Sequence, residues 1–491
     1  MSDVSFPQTV LNKSEGVNRS EQFLNKLADK TFLSLWSYPS LYNDKGVTVC
    51  KQTGAKKGEG KELCDLLVIF DNTILIFSVK EYQFQQDKDI AQSWIRWYRG
   101  AIAGAAKQIY GAERWLEKFP QRIYLDKATK TPFPYPLPSQ GNAIVHRIVV
   151  AFGASEAHKQ YCCDATDGNL AINTAIKGDM HVTKDSLMPF VIGDIDESKG
   201  FIHIFNEDSL DAIMSTLNTT PDFIKYLSDK EKFLRGNNVV AKDEKDILSY
   251  YLLSYDERIN EHCFPNVRHN KVVFDNDIWD EFCKRPERIR QLEANEISYF
   301  WDGLIEAFIK PVTTGTAYQM SHPTIAEQEF PFRIMVKENR TMRRTLSKNL
   351  IGLIEHHKKF CEGHTILRPS TRMMYSPNTG VCYLFQVLQC NDFYETYEIY
   401  RERKQMVLNG YLHVAKLKLP DAQQLIGIGI EINAIRGGGS EDFAYLDASQ
   451  WNDADIEYAT KLEKCLIDMG FIGERNARVE SVFEYPLDTL H

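Results

Sequence analysis

The chain has 491 residues, 43% hydrophobic and 25% charged side chains, a net charge of −9 and ten cysteines. Such a chain is too long for one ordinary core and reads as two or three folded globular domains; its acidic balance excludes a protein that coats nucleic acid nonspecifically, though not one with a local basic groove. No apolar run approaches the ~20 residues of a membrane span, Met1–Gly16 holds no signal-peptide apolar region, and the cysteines form no CxxC pair, so a cytoplasmic chain with reduced thiols is expected.

In chain order, Ser20 is a plausible N-cap for a helix over EQFLNKLADKTFLSLW, with Glu21 in its first turn, where macrodipole complementation is reason enough for an acid. A short strand, VTVC, follows at 47–50. Residues 51–61 are rich in Lys and Gly and read as a mobile positive loop, solvated or in contact with phosphate through Lys56, Lys57 and Lys61. Two apolar runs then flank Asp71–Asn72, whose tolerance of positive φ suits a two-residue hairpin turn. That turn sets Phe70 opposite Thr73, Ile69 opposite Ile74, Asp65 opposite Ser78 and Leu63 opposite Lys80. Cross-strand partners share a face, so Asp65, Ser78 and Lys80 converge at one end of a hairpin otherwise built of Leu, Val, Ile and Phe. Both faces of the hairpin are apolar, which calls for cover on both sides.

A long helix is expected over 88–118, ended by Pro120. Arg96, Arg99, Lys107 and Arg114 form one stripe, a solvated face or a nucleic-acid contact through Arg96 and Arg99, and Trp94, Tyr98, Ile102, Ile109, Trp115 and Leu116 face the core. The small residues from Gly100 to Ala106 permit close approach to a sheet, and Gln108, at the border, reaches toward the polar end of the hairpin. The strand HRIVVAFGA (146–154) and strand signals in NLAINTA, PFVIGDI and GFIHIF complete a domain over 1–206. Residues 207–310 read as a helical connecting domain, and 311–491 as an α+β domain. Its elements are a helix RTMRRTLSKNLIGLIEHHKKF, a strand pair in STRMMYSPNTGVCYLFQVL, a helix ending at Gly410, strands YLHVAKLKL and QLIGIGIEINAI, and a helix from near Asp453.

The hairpin resembles the active-site hairpin of the PD-(D/E)xK nuclease superfamily, and the order of elements over about residues 20–155 fits its restriction-endonuclease-like αβββαβ core, an α/β (α+β) fold. The resemblance implies catalytic roles for Asp65 and Lys80, with Glu21 matching a first-helix acid and Gln108 a helix glutamine. Ser78 stands where that family places an acid. It implies Mg²⁺ or Mn²⁺ held by Asp65 and Glu21, phosphodiester cleavage, and nucleic acid, DNA foremost, as partner. Glu62 and Glu81 have the opposite strand parity to Asp65 and are weaker candidates unless the strand ends bend. The run FLSLWSYPSLYNDKG followed by GKELCDLLVIF is also similar to a group of bacterial proteins, some near phage-defence genes, which implies a defence effector, a homo-oligomer or a defence partner. With Ser78 in that position, the alternatives are a degenerate domain that binds nucleic acid without cutting, a sensor or scaffold, and an unrelated role in which Asp65 and Lys80 are a structural ion pair.

Three further features compete with the hairpin. His356, His357, Cys361 and His364 are residue types suited to zinc, but basic residues at a helix end are favourable by dipole alone. Arg436 to Gly439, after a strand, is a flexible loop or a phosphate cradle. Arg340, Arg343, Arg344 and Lys348 open a helix with positive charge, against its dipole, which points to an anionic partner through Arg343 and Arg344.

Overall fold

In the computed structural model the described residues are 13, 16, 18–49, 52, 56–139, 141–163, 166–183, 187–256, 258, 261–267, 271–274, 278–314, 325–361, 369–389, 397–432, 441–472 and 482–486. The fold is mixed α/β in two compact units, Met1–Ile289 with Val312–Ala326, and Arg290–Pro311 with Glu327–His491. The three-part division read from sequence becomes two, because most of the supposed connecting domain packs into the first unit.

Helix α1 (Arg19–Trp36) is capped by Asn18, whose side chain accepts the N–H of Glu21, so the cap lies two residues before the expected Ser20. It runs directly into β1 (Ser37–Asn43), a strand that sequence reading missed because Pro39 sits in it and Ser40 has φ 51°. Strands β2 (Lys61–Phe70) and β3 (Thr73–Glu81) form the expected hairpin. Helices α2 (Ile90–Trp97) and α3 (Gly104–Lys118) are joined by a π-helical turn, Tyr98–Ala103, where one continuous helix was expected. Gly100 lies in that turn under the ring of Tyr82; a Cβ there would come within 2.8 Å of it. With β4 (Ile123–Tyr124), β5 (Ile144–Phe152) and β8 (Ile202–Phe205) these strands make a six-stranded sheet in the order β8-β5-β3-β2-β1-β4. Strands β1, β2 and β3 are antiparallel neighbours, and β5 runs parallel to both β3 and β8.

Both faces of the hairpin are covered, as its composition requires. Leu67, Ile69, Ile74 and Ile76 pack with Trp94, Ile102 and Ile109. On the other face, beside α4 (Glu207–Thr216), Phe77 meets Phe32 of α1 and Phe223 of α5 (Thr220–Gly236), 6.2 and 6.5 Å between ring centres. Of the later strand signals only GFIHIF joins this sheet. NLAINTA and PFVIGDI become β6 (Ala171–Lys177) and β7 (Val191–Asp194) of a second sheet with β9 (Asn238–Ala241) and β10 (Lys271–Val273). The positive loop is likewise more ordered than expected: Lys56–Lys57 pairs with Thr48–Val49.

The second unit has a four-stranded sheet in the order β11 (Ser370–Ser376), β12 (Val381–Gln389), β13 (Gln424–Ile432), β14 (Glu441–Asp447). Helix α6 (Tyr299–Thr313) sets Trp301 against Tyr383, and α7 (Arg340–Cys361) packs beside β11 and β12. Helices α8 (Tyr397–Lys418) and α9 (Asp453–Asp468) pack on the sheet through Leu408, Leu412 and Leu466. Helix α8 continues through Gly410, so YLHVAKLKL is helix and not strand. Leu408, Tyr411, Leu412 and Ala415 are buried at helical spacing, and that burial outweighs the intrinsic cost of one glycine.

Candidate active site

The hairpin register is as the turn dictates: Phe70 pairs with Thr73, Ile69 with Ile74 and Leu66 with Phe77, and Asp71 takes φ 56°. Regular pairing of β2 with β3 stops at Leu66. The next link is a side chain, the Asp65 carboxylate, whose Oδ2 accepts the N–H of Val79 at 2.6 Å. Asp65 is 5% exposed and Ser78 is fully buried, with Ser78 Oγ donating to Gln108 Oε1 of α3 at 3.2 Å. Gln108 thus reaches the polar end of the hairpin as expected. Lys80, half-buried, sits two residues beyond Ser78, beside Ala151 of β5.

The outer end of β2 departs from strict alternation. Leu41 of β1 pairs with Cys64, but the next residue, Tyr42, pairs with Glu62, so Leu63 is an extra residue without a partner on β1. Such a bulge reverses the face presented by everything beyond it. Glu62, which alternation turns away from Asp65, comes round to the same side. The electrostatics agree. Burial lifts the Glu62 carboxyl to about 7, and the charges of Asp65 and Glu21 add to the lift while Lys80 opposes it. Burial also raises Asp65, opposed by Lys80 and by hydrogen bonds from Val79 and Ser78, with Glu21 again adding to the rise. The Tyr42 hydroxyl is raised by burial and then by Glu62, with Glu21 contributing less. Three carboxylates and one lysine therefore share a field at the end of an apolar sheet. Strand parity sets Glu62 aside in the sequence; a bend at the strand end is the one circumstance that brings it back, and the bulge supplies that bend.

Glu21 serves the helix end as well. Its carboxylate accepts from Asn18 Nδ2 at 2.6 Å. Lys57, Lys61 and Arg99 are exposed. Lys56 is tied back, donating to Thr129 O at 2.8 Å and lying 5.4 Å from the Tyr124 ring centre. Arg96 donates to Tyr82 Oη and to Gln85 Oε1. An open cleft lined by Tyr82, Gln92, Arg96, Arg99 and Thr183 begins two residues past Lys80.

The basic start of α7 has an internal explanation. Arg343 is fully buried, donating to Asp302 Oδ1 at 2.6 Å and to the carbonyls of Val336 and Glu338. Arg340 donates to Asp302 Oδ2 at 2.7 Å, and Arg344 donates to Asn295 and to the Phe483 carbonyl. The expected anion is Asp302 of the same unit, which takes Arg343 off any nucleic-acid surface. His357 is buried with Nδ1 2.8 Å from Ser370 Oγ; the Cys361 side chain, His364 and Arg436 to Gly439 lie outside the described residues. An acidic trio, Asp167, Asp208 and Asp243, gathers around Lys245, whose Nζ is 2.8 Å from Asp167 and from Asp208.

Compared with known proteins, the chain matches no family model, no curated protein and no solved structure. Its function is therefore read from the site itself.

Proposed function

We propose that the first unit is a divalent-metal-dependent phosphodiesterase acting on nucleic acid, DNA by its resemblance to the PD-(D/E)xK superfamily. The observation that carries this reading is the bulge at Leu63, which adds Glu62 to Asp65 and thereby supplies the acid that Ser78 does not. The order helix, three antiparallel strands, helix, parallel strand also supports it. The donors are all oxygen, the choice of Mg²⁺ or Mn²⁺. Like charges at this site raise one another's proton affinity, a penalty that a cation relieves.

Asp65, Glu62 and Glu21 would hold the ion, which would polarise a phosphate oxygen and lower the pKa of an attacking water. The chain's own contribution is placement. Val79 N–H holds the Asp65 carboxylate in place through Oδ2, and the Ser78–Gln108 hydrogen bond steadies the strand end beside it. Lys80 offers its ammonium to the charge that develops on the phosphoryl oxygens. Lys57, Lys61 and Arg99 are available to the phosphate backbone.

The test is cleavage of single- and double-stranded DNA and RNA by the full chain in Mg²⁺ or Mn²⁺. Asp65→Ala and Lys80→Ala each abolish cleavage with circular dichroism unchanged. A wild-type chain that cuts none of these substrates in either metal defeats the proposal. Ser78, a buried hydroxyl in the position of an acid, favours a second reading: binding without cleavage. That reading predicts salt-dependent affinity indifferent to Asp65→Ala.

A further inference from the structure

A second polar cluster lies on the opposite face of the same sheet. Ile76 pairs with Arg147, placing Arg147 on the α3 side, where it meets Glu113; its neighbours His146 and Ile148 therefore face away. His203 of β8 pairs with Ile148 and shares that face. Helix α5 covers them: Ser228 Oγ lies 3.1 Å from His146 Nε2, and Glu231 follows one turn later. One nitrogen from each imidazole and one Glu231 carboxylate oxygen lie within 4.8 Å of one another.

Two facts separate this trio from ordinary core packing. His146 and His203 are 2% and 0% exposed, yet His146 Nδ1 and both nitrogens of His203 have no hydrogen-bond partner among the described residues. Buried polar atoms are almost always satisfied, and leaving them unsatisfied is costly. Residues that merely filled space beside Phe201 and Phe205 would be apolar. The neighbouring cations, moreover, already have acids: Lys230 pairs with Glu244 at 2.6 Å, Arg147 with Glu113, and Arg235 with Asp194 at 2.8 Å, with Glu231 more distant from Arg235 at 3.6 Å.

We propose that His146, His203 and Glu231 form a binding site for a divalent transition-metal ion, zinc by ligand type. Two imidazoles with one carboxylate suit zinc and do not suit Mg²⁺, so the site is chemically distinct from the all-oxygen cluster around Asp65 and independent of the nuclease reading. Ser228 orients the His146 ring from outside, as partners of metal-bound imidazoles do. The ion ties β5, β8 and α5 together, a structural staple joining residues 57 and 28 positions apart in sequence (His146 to His203, His203 to Glu231).

The experiment uses the full chain, stripped with a chelator and titrated with ZnCl₂ against a chromophoric competitor, with thermal unfolding followed in parallel. One zinc binds per chain and raises the unfolding midpoint, and an excess of Mg²⁺ neither displaces that zinc nor removes the rise. His203→Gln and Glu231→Gln both lose the bound zinc and the midpoint rise, whereas His356→Asn keeps them. Glu231 is only half-buried, so Glu231→Gln folds, and its dichroism in chelator matches the wild type. Absence of stoichiometric zinc in the wild type overturns the proposal. So does zinc binding that survives Glu231→Gln, even when His203→Gln abolishes it.

Discussion

Glu62→Gln tests the step on which the functional reading turns, the bulge that brings Glu62 into the field of Asp65. The Glu62 carboxyl is lifted from 4.5 to about 7 by burial, then by Asp65 and Glu21. The native state thus holds that proton more tightly than the unfolded chain does. The stability this contributes is fully present below the unfolded value and is lost as pH rises through about 7. At about 1.4 kcal/mol for each tenfold change in proton affinity, the ceiling is about 3.5 kcal/mol. More than a third of the Glu62 surface is nevertheless open to water, so screening by solvent reduces this to about 1 kcal/mol. Urea unfolding in EDTA at pH 5 and pH 8 reads the loss directly. The wild type should lose about 1 kcal/mol more than Glu62→Gln over that interval, because the glutamine has no proton to release. Millimolar Mg²⁺ at pH 8 should then stabilise the wild type more than the variant. Parallel loss of stability in the two proteins would show that Glu62 does not feel Asp65, and the assignment of Glu62 to the site would fail.

Asp302→Ala strips the buried Arg343 and Arg340 of their acid and should destabilise the second unit by about 3–5 kcal/mol, measured by urea unfolding, since an unpaired buried charge is left behind. Replacing Lys57 and Arg99 together with Gln should weaken nucleic-acid binding in fluorescence anisotropy and flatten its salt dependence, by about 0.9 in log–log slope for each duplex-DNA phosphate that the variant no longer neutralises. Arg344→Gln should leave that slope unchanged, because its guanidinium is spent on Asn295 and the Phe483 carbonyl.

Legibility followed the range of the forces involved. The hairpin, its turn and its register were readable because Asp71–Asn72 and the flanking apolar runs are adjacent in sequence, and Asp65, Ser78 and Gln108 came with them. Strand β1 was hidden by Pro39, which argues against a strand until a neighbour such as Leu66 is known to pair there. The YLHVAKLKL segment alternates locally, yet Leu408, Leu412 and Ala415 bury at helical spacing against the sheet, and that packing decides. Arg343 and Arg344 looked like a surface for an anion because their partners, Asp302, Asn295 and the Phe483 carbonyl, lie about 40 to 140 residues away.

By itself, then, the sequence determined a mixed α/β composition, a two-sided apolar hairpin and the charged pair Asp65 and Lys80 at its end, all products of turn chemistry and short-range alternation. The tertiary structure alone decided which other groups join them. A single unpaired residue, Leu63, turns Glu62 toward Asp65 through pairing with β1, and a parallel pairing of β5 with β8 sets His146 beside His203 under Glu231 of α5. Strand parity and helix placement are settled between partners far apart in the chain, and no local pattern records them.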